Sequence, residues 1–227
     1  MNVSKALSVA TVVAAMMVAS SGAGATTIAI YNTGVDAGGN VLADGTSGDP
    51  HYILSSVPGG TTDILVRSQS GGFPIPPYIG DDGVSTWIGP ANNSTLNSPP
   101  GAYTYSTTFD LSGLNLASVV LDGQWSTDND GLDIIINGTS LGLTTSFTQF
   151  SSGFAPFSIP DADLLQGVNT LEFVVDNGTN DPSPTALRVE FTTKTANPLA
   201  VPEPLTLSLF GAGLAGAAAL RRRRKSV

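Results

Sequence analysis

Asp128-Asn129-Asp130-Gly131-Leu132-Asp133 concentrates oxygen-bearing side chains within six positions of a 227-residue chain. Hard divalent cations are held by carboxylate and carbonyl oxygens, so Asp128, Asp130 and Asp133 are the candidate ligands of a structural calcium. The run is not an EF-hand loop. Leu132 stands where that loop needs an acid or amide, and Ser140 and Leu141 occupy the later positions instead of a bidentate glutamate. The other reading is a turn whose Asp and Asn side chains bond their own backbone. Asp176-Asn177-Gly178-Thr179-Asn180-Asp181 poses the same choice.

Few other residues offer chemistry. His51 is the single histidine and cysteine is absent, which excludes multi-histidine zinc sites, thiolate nucleophiles and disulfides together. His51 sits in Asp49-Pro50-His51-Tyr52, a turn entering a strand. A glycosidase needs two carboxylates at a defined separation, and sequence alone places no pair. Trp87, Trp125, Tyr31, Tyr52 and Tyr78 have the flat, amphipathic rings on which sugars stack. Trp87, within Ser85-Thr86-Trp87-Ile88-Gly89-Pro90, is the candidate ligand-binding residue because loop-rich sequence flanks it; core packing is the alternative, and the preferred reading for Trp125. Gly211-Ala212-Gly213-Leu214-Ala215-Gly216 copies the dinucleotide glycine pattern. No strand precedes it and no acid follows at the required distance, so it is a coincidence within an apolar helix.

The elements that must position these residues are strands. Tyr103, Tyr105, Thr107 and Phe109 alternate with polar residues, as do Leu171, Phe173 and Val175, and Leu187, Val189 and Phe191. Each pattern turns one face toward a core. Asn137-Gly138, between Asp133–Ile136 and Thr139–Leu141, is the pair best suited to the positive φ angles of a type I′ hairpin turn. Further strands are expected at 27–31, 52–55, 63–67 and 119–121, with one helical turn in 161–166. No apolar stretch keeps helical spacing for three turns in the body. About eight short strands between turn residues predict an all-β, two-sheet sandwich or jelly roll.

Both flanks read as processing segments. Lys5, the apolar stretch Ala6–Ala19 and Ala23-Gly24-Ala25 form a signal peptide over residues 1–25, expected to be cleaved by signal peptidase after Ala25. Residues 26–195 are the expected sandwich domain and 196–200 a linker. Residues 201–227 form a tail: Val201-Pro202-Glu203-Pro204, an apolar run over 205–220, and the basic cluster Arg221, Arg222, Arg223, Arg224 and Lys225. Sixteen helical residues reach ~24 Å, a little short of the ~30 Å hydrocarbon layer, and the cationic flank fixes orientation with the body outside the cytoplasm. Of nine basic residues only Arg67, Arg188 and Lys194 lie in the body, against seventeen of the eighteen acids, for a formal charge of −14. That charge repels nucleic acid and anionic membrane and favours neutral sugars or cations.

Pro-Glu-Pro, a short membrane helix and an arginine cluster in this order resemble the PEP-CTERM sorting tail of Gram-negative bacteria. That resemblance implies an exosortase-type sorting protease as partner, with cleavage near Val201–Pro204, an inner-membrane precursor, and a cell-surface or extracellular product in an exopolysaccharide setting. Tyr103–Leu111, Trp125–Gly131 and Leu164–Phe173 resemble galactose-binding-like β-sandwiches over roughly residues 100 to 193. This second resemblance implies a jelly roll, loop-borne ligands and, in many members, a structural calcium. The functional expectation is a non-catalytic module binding neutral extracellular polysaccharide. The alternatives are a structural matrix or envelope protein without a specific ligand and, third, a glycan-active hydrolase or lyase.

Overall fold

The computed structural model describes residues 24–59, 62–67, 78–90, 97–178, 180–200 and 205–223. Its strands are β1 (Thr26–Thr27), β2 (Ile53–Ser56), β3 (Ile64–Arg67), β4 (Trp87–Pro90), β5 (Ala102–Asp110), β6 (Val120–Asp128), β7 (Gly131–Ile136), β8 (Thr139–Ser140), β9 (Ala155–Ser158), β10 (Val168–Asp176) and β11 (Ala186–Ala196). Two helices, α1 (Gln149–Ser152) and α2 (Leu205–Arg223), complete the set. A six-stranded antiparallel sheet runs β3-β4-β11-β6-β9, with β1 also paired to β11, and a five-stranded sheet runs β2-β5-β10-β7-β8. The expected all-β sandwich is therefore the fold.

Period-two patterning fills the space between the sheets. Tyr103, Tyr105 and Phe109 of β5, Leu171, Phe173 and Val175 of β10, Leu187 and Val189 of β11, and Trp125 of β6 all point into one core. Phe173 packs at 5.8 Å from Trp125 and 5.7 Å from Phe157, ring centre to ring centre. Each such ring removes about 150–250 Å2 from water. Gly123 of β6 exists for the same reason, since a Cβ there would sit 2.3 Å from the Phe157 ring and 2.7 Å from the Glu190 carbonyl. The β7–β8 hairpin turns through Asn137 and Gly138 at φ 50 and 83, as the type I′ preference requires.

Three elements differ from expectation. The strand expected over 27–31 is paired only at Thr26 and Thr27, opposite Thr195 and Ala196. Strand β6, expected over 119–121, runs on to Asp128 because its whole length pairs with β11. The expected linker is largely bound to the body: β11 continues to Ala196, and Pro198 bridges antiparallel to Leu114. The helical turn expected in 161–166 is a 3-10 turn at Asp161–Asp163.

The expected signal segment, up to residue 23, lies outside the described residues, as do Val201, Pro202, Glu203, Pro204 and Arg224. Helix α2 covers the expected apolar segment and carries Arg221 and Arg222, both exposed, in its last turn. Among the described residues no helix is long and apolar enough to cross a membrane.

Candidate functional site

Strand alternation distributes the polar groups between two outer faces. On β6, Leu121 and Trp125 point inward, so Asp122, Gln124, Ser126 and Asp128 point outward. Opposite them on β11 stand Thr193, Glu190, Arg188 and Ala186. This half of the six-stranded sheet is covered by the segment 78–86 and by α1. Tyr78, Ile79 and Phe150 pack against Trp87 and Ala186 in a second, smaller apolar cluster.

Beneath that cover Arg188, 1% exposed, uses its whole fork. Nε donates to Ser85 Oγ at 2.7 Å, Nη1 to the Gly80 carbonyl at 2.6 Å, and Nη2 to Glu190 Oε1 at 3.3 Å and Asp82 Oδ1 at 2.8 Å. Its plane also lies 5.2 Å from the Phe154 ring centre, a cation–π distance. Glu190 further accepts from Ser85 Oγ and from Gln124 Nε2, both at 2.7 Å. A buried ion pair survives only with such full hydrogen bonding, and its placement fixes segment 78–86 on the sheet. Sequence alternation had given β11 a single buried face. The i, i+2 spacing of Arg188 and Glu190 on the other face was the available signal for the network.

Asp128 lies at the upper edge of this face, buried and accepting a hydrogen bond from the Tyr78 hydroxyl. Burial pushes its carboxyl from the ordinary 3.8 up to about 6, with the Tyr78 bond pulling the other way. Burial also raises Asp49, although the Gly34, His51 and Tyr52 amides donate to it. His51 itself stacks on Tyr31 at 3.7 Å.

The three carboxylates expected to share a calcium do not converge. Asp128 faces outward from the six-stranded sheet, whereas Asp133 of β7 faces outward from the five-stranded sheet, since its neighbours Ile134 and Ile136 fill the core. Packed sheets stand ~10 Å apart, so the sandwich itself separates them. Asp133 Oδ1 accepts from the Gly142 amide at 2.9 Å, and the Asp130 carbonyl accepts from the Asp176 amide at 2.8 Å. Those contacts are turn and hairpin bonds. No group of three acidic or histidine side chains able to hold a metal occurs among the described residues.

Trp87 is fully buried, and its Nε1 donates to the Ile79 carbonyl at 3.0 Å. The sugar-stacking role expected of it has no exposed ring face to use, because segment 78–86 folds back over the strand. Trp125 packs in the core as expected.

A cleft of about 520 Å3 opens along β6, β9 and the irregular stretch of β11. Asp122, Ser158 and Thr192 supply a carboxylate and two hydroxyls to it, and Leu143, Pro156 and Phe157 supply apolar wall. The register shift between Phe191 and Thr193 turns Thr192 toward it. It is a shallow, open groove rather than an enclosed cavity. Sequence reasoning missed it because its residues come from four separated segments and carry no motif.

Among solved structures, the chain is similar to CBM35 from Paenibacillus barcinonensis at 16% identity, over 72% of this chain and 98% of that one, with a TM-score of 0.29. A superposition that loose carries no argument about a ligand. No curated protein matches the chain. The family model of the PEP-CTERM protein-sorting motif matches residues 200–224, so this chain carries that motif, which implies processing by an exosortase and an exported, cell-surface or extracellular protein.

Proposed function

We propose that this is a non-catalytic surface module that binds a neutral polysaccharide in the cleft lined by Asp122, Leu143, Pro156, Ser158 and Thr192. The observation that carries the reading is the cleft itself, which the polar residues Asp122, Ser158 and Thr192 line together with apolar ones. Sugars present hydroxyls and C–H faces together, so this mixture suits them, and the formal body charge of −14 disfavours anionic partners. Compartment adds to it: a sorted, exported protein meets extracellular glycan. A small buried area sets affinity in the millimolar to micromolar range, about −4 to −8 kcal/mol.

The chemistry of the other polar groups fits a binding role. Asp128, whose carboxyl titrates near 6, is sealed beneath Tyr78, and Arg188 and Glu190 are consumed by mutual pairing. Before processing, the exposed apolar side chains Leu209, Phe210 and Leu214 of α2 suit it to hold the precursor at the membrane. Co-sedimentation of the exported, processed protein with a panel of neutral polysaccharides tests the binding reading. Retention on at least one of them, lost on competition with its soluble oligosaccharide, is the expected result. No retention on any leaves a structural matrix role, and release of shorter sugars would make the protein an enzyme.

A further inference from the structure

The place where the chain leaves the sandwich is fixed. Asn115 N–H donates to the Asn197 carbonyl at 2.8 Å, Leu199 N–H to the Gly113 carbonyl at 2.8 Å, and Asn197 N–H to Ser118 Oγ at 2.8 Å. The 111–119 loop thus clamps the segment before the sorting motif to one end of the sandwich. Strand directions put the 159–167 loop and the Asn137-Gly138 turn at this same end, because Val168 pairs with Asp110 and Thr26 with Ala196. From Leu199 to Glu203 there are four peptide steps, at most ~14 Å of chain. A protease that cleaves near Pro202–Pro204 therefore cannot work without meeting this end.

That end carries exposed apolar side chains close to the tail. Val168 is 65% exposed, Leu165 54%, Leu199 47% and Val120 44%, and exposed aliphatic groups gathered at one place mark interaction surfaces. Asp110, Asp161 and Asp163 lie beside them, which sets the surface against anionic lipid headgroups and in favour of a protein rim carrying basic groups. We propose that the end of the sandwich bearing Val120, Leu165, Val168 and Leu199 is a docking surface for the sorting protease that processes the tail. The proposal rests on the reading that the 200–224 motif is processed.

Pulse-chase of the full chain in cells that contain the sorting protease tests it. Leu165→Glu with Val168→Glu should slow conversion of precursor to mature protein about tenfold, the scale of losing two central apolar contacts. Leu132→Glu, at a leucine 44% exposed at the opposite end of the sandwich, should leave the rate unchanged. Leu165→Ser with Val168→Thr removes the same apolar area without charge and should also slow conversion, should the double glutamate variant fail to fold. Conversion at the wild-type rate by a folded double variant would overturn the proposal, as would slow conversion accompanied by loss of precursor from the membrane fraction, which would make the bilayer the partner. A wild-type chain left unprocessed, or processed equally after Pro202 and Pro204 are replaced, would overturn the sorting reading and the docking surface with it.

Discussion

Replacing Asp128 with asparagine should stabilise the protein at neutral pH, and the size of the gain follows from the carboxyl's surroundings. Burial raises its folded-state value from 3.8 to about 6, so between those limits the folded chain binds the proton more tightly than the unfolded chain. Stability from this group is fully present below about pH 4 and is lost as the pH rises through about 6. A shift of this size corresponds to about 3 kcal/mol of charge-burial cost at pH 7. Asparagine keeps an acceptor oxygen for the Tyr78 hydroxyl and removes the charge. Chemical denaturation of both proteins from pH 4 to 7.5 measures the difference, in which the titrations of other groups cancel. The variant should lead by about 2–3 kcal/mol at pH 7.5, and the lead should vanish toward pH 4. A pH-independent difference, or a variant less stable at pH 7.5, would refute the assignment of Asp128 as a buried, costly carboxylate.

Three further outcomes are expected. Phe173→Ala should cost about 3–5 kcal/mol in denaturant melts, since the ring is fully buried between Trp125 and Phe157, whereas Glu172→Ala on the outer face should change stability by less than about 0.5 kcal/mol. Arg188→Met should cost about 3–5 kcal/mol by leaving Glu190 buried without its cation, and limited proteolysis should then cut within 78–86 sooner than in the wild type. Intact mass of the exported protein should place the new N-terminus at or near Thr26 and show loss of the segment beyond Pro202-Glu203-Pro204, while a mass that retains residues 205–227 in protease-containing cells would count against sorting.

Strand pairing explains which parts of this account the sequence reveals. Alternation in β5, β10 and β11 identifies the core faces because side-chain period equals backbone period, and Asn137-Gly138 announces its hairpin because few pairs accept positive φ twice. The tail is legible because three unlike features follow one another in order. Trp87 misleads because its burial depends on segment 78–86 folding back over β4, a long-range contact that no local pattern records. Asp128 and Asp133 mislead for a related reason: five residues apart in the chain, they belong to different sheets and face opposite sides of the sandwich. The cleft at Asp122, Ser158 and Thr192 is assembled by sheet register and a strand irregularity, neither of which is written in local composition.

Blocking the cleft beside β9 separates binding of neutral polysaccharide there from a purely structural role. Thr192 is exposed and lines the cleft without entering the core, so Thr192→Trp should project an indole into the space without disturbing the core. Calorimetric titration of the exported protein with the polysaccharide that retains it should give a dissociation constant between millimolar and micromolar. The tryptophan variant, with an unchanged melting temperature, should give no binding heat. Undiminished binding by that variant would contradict the assignment of the cleft.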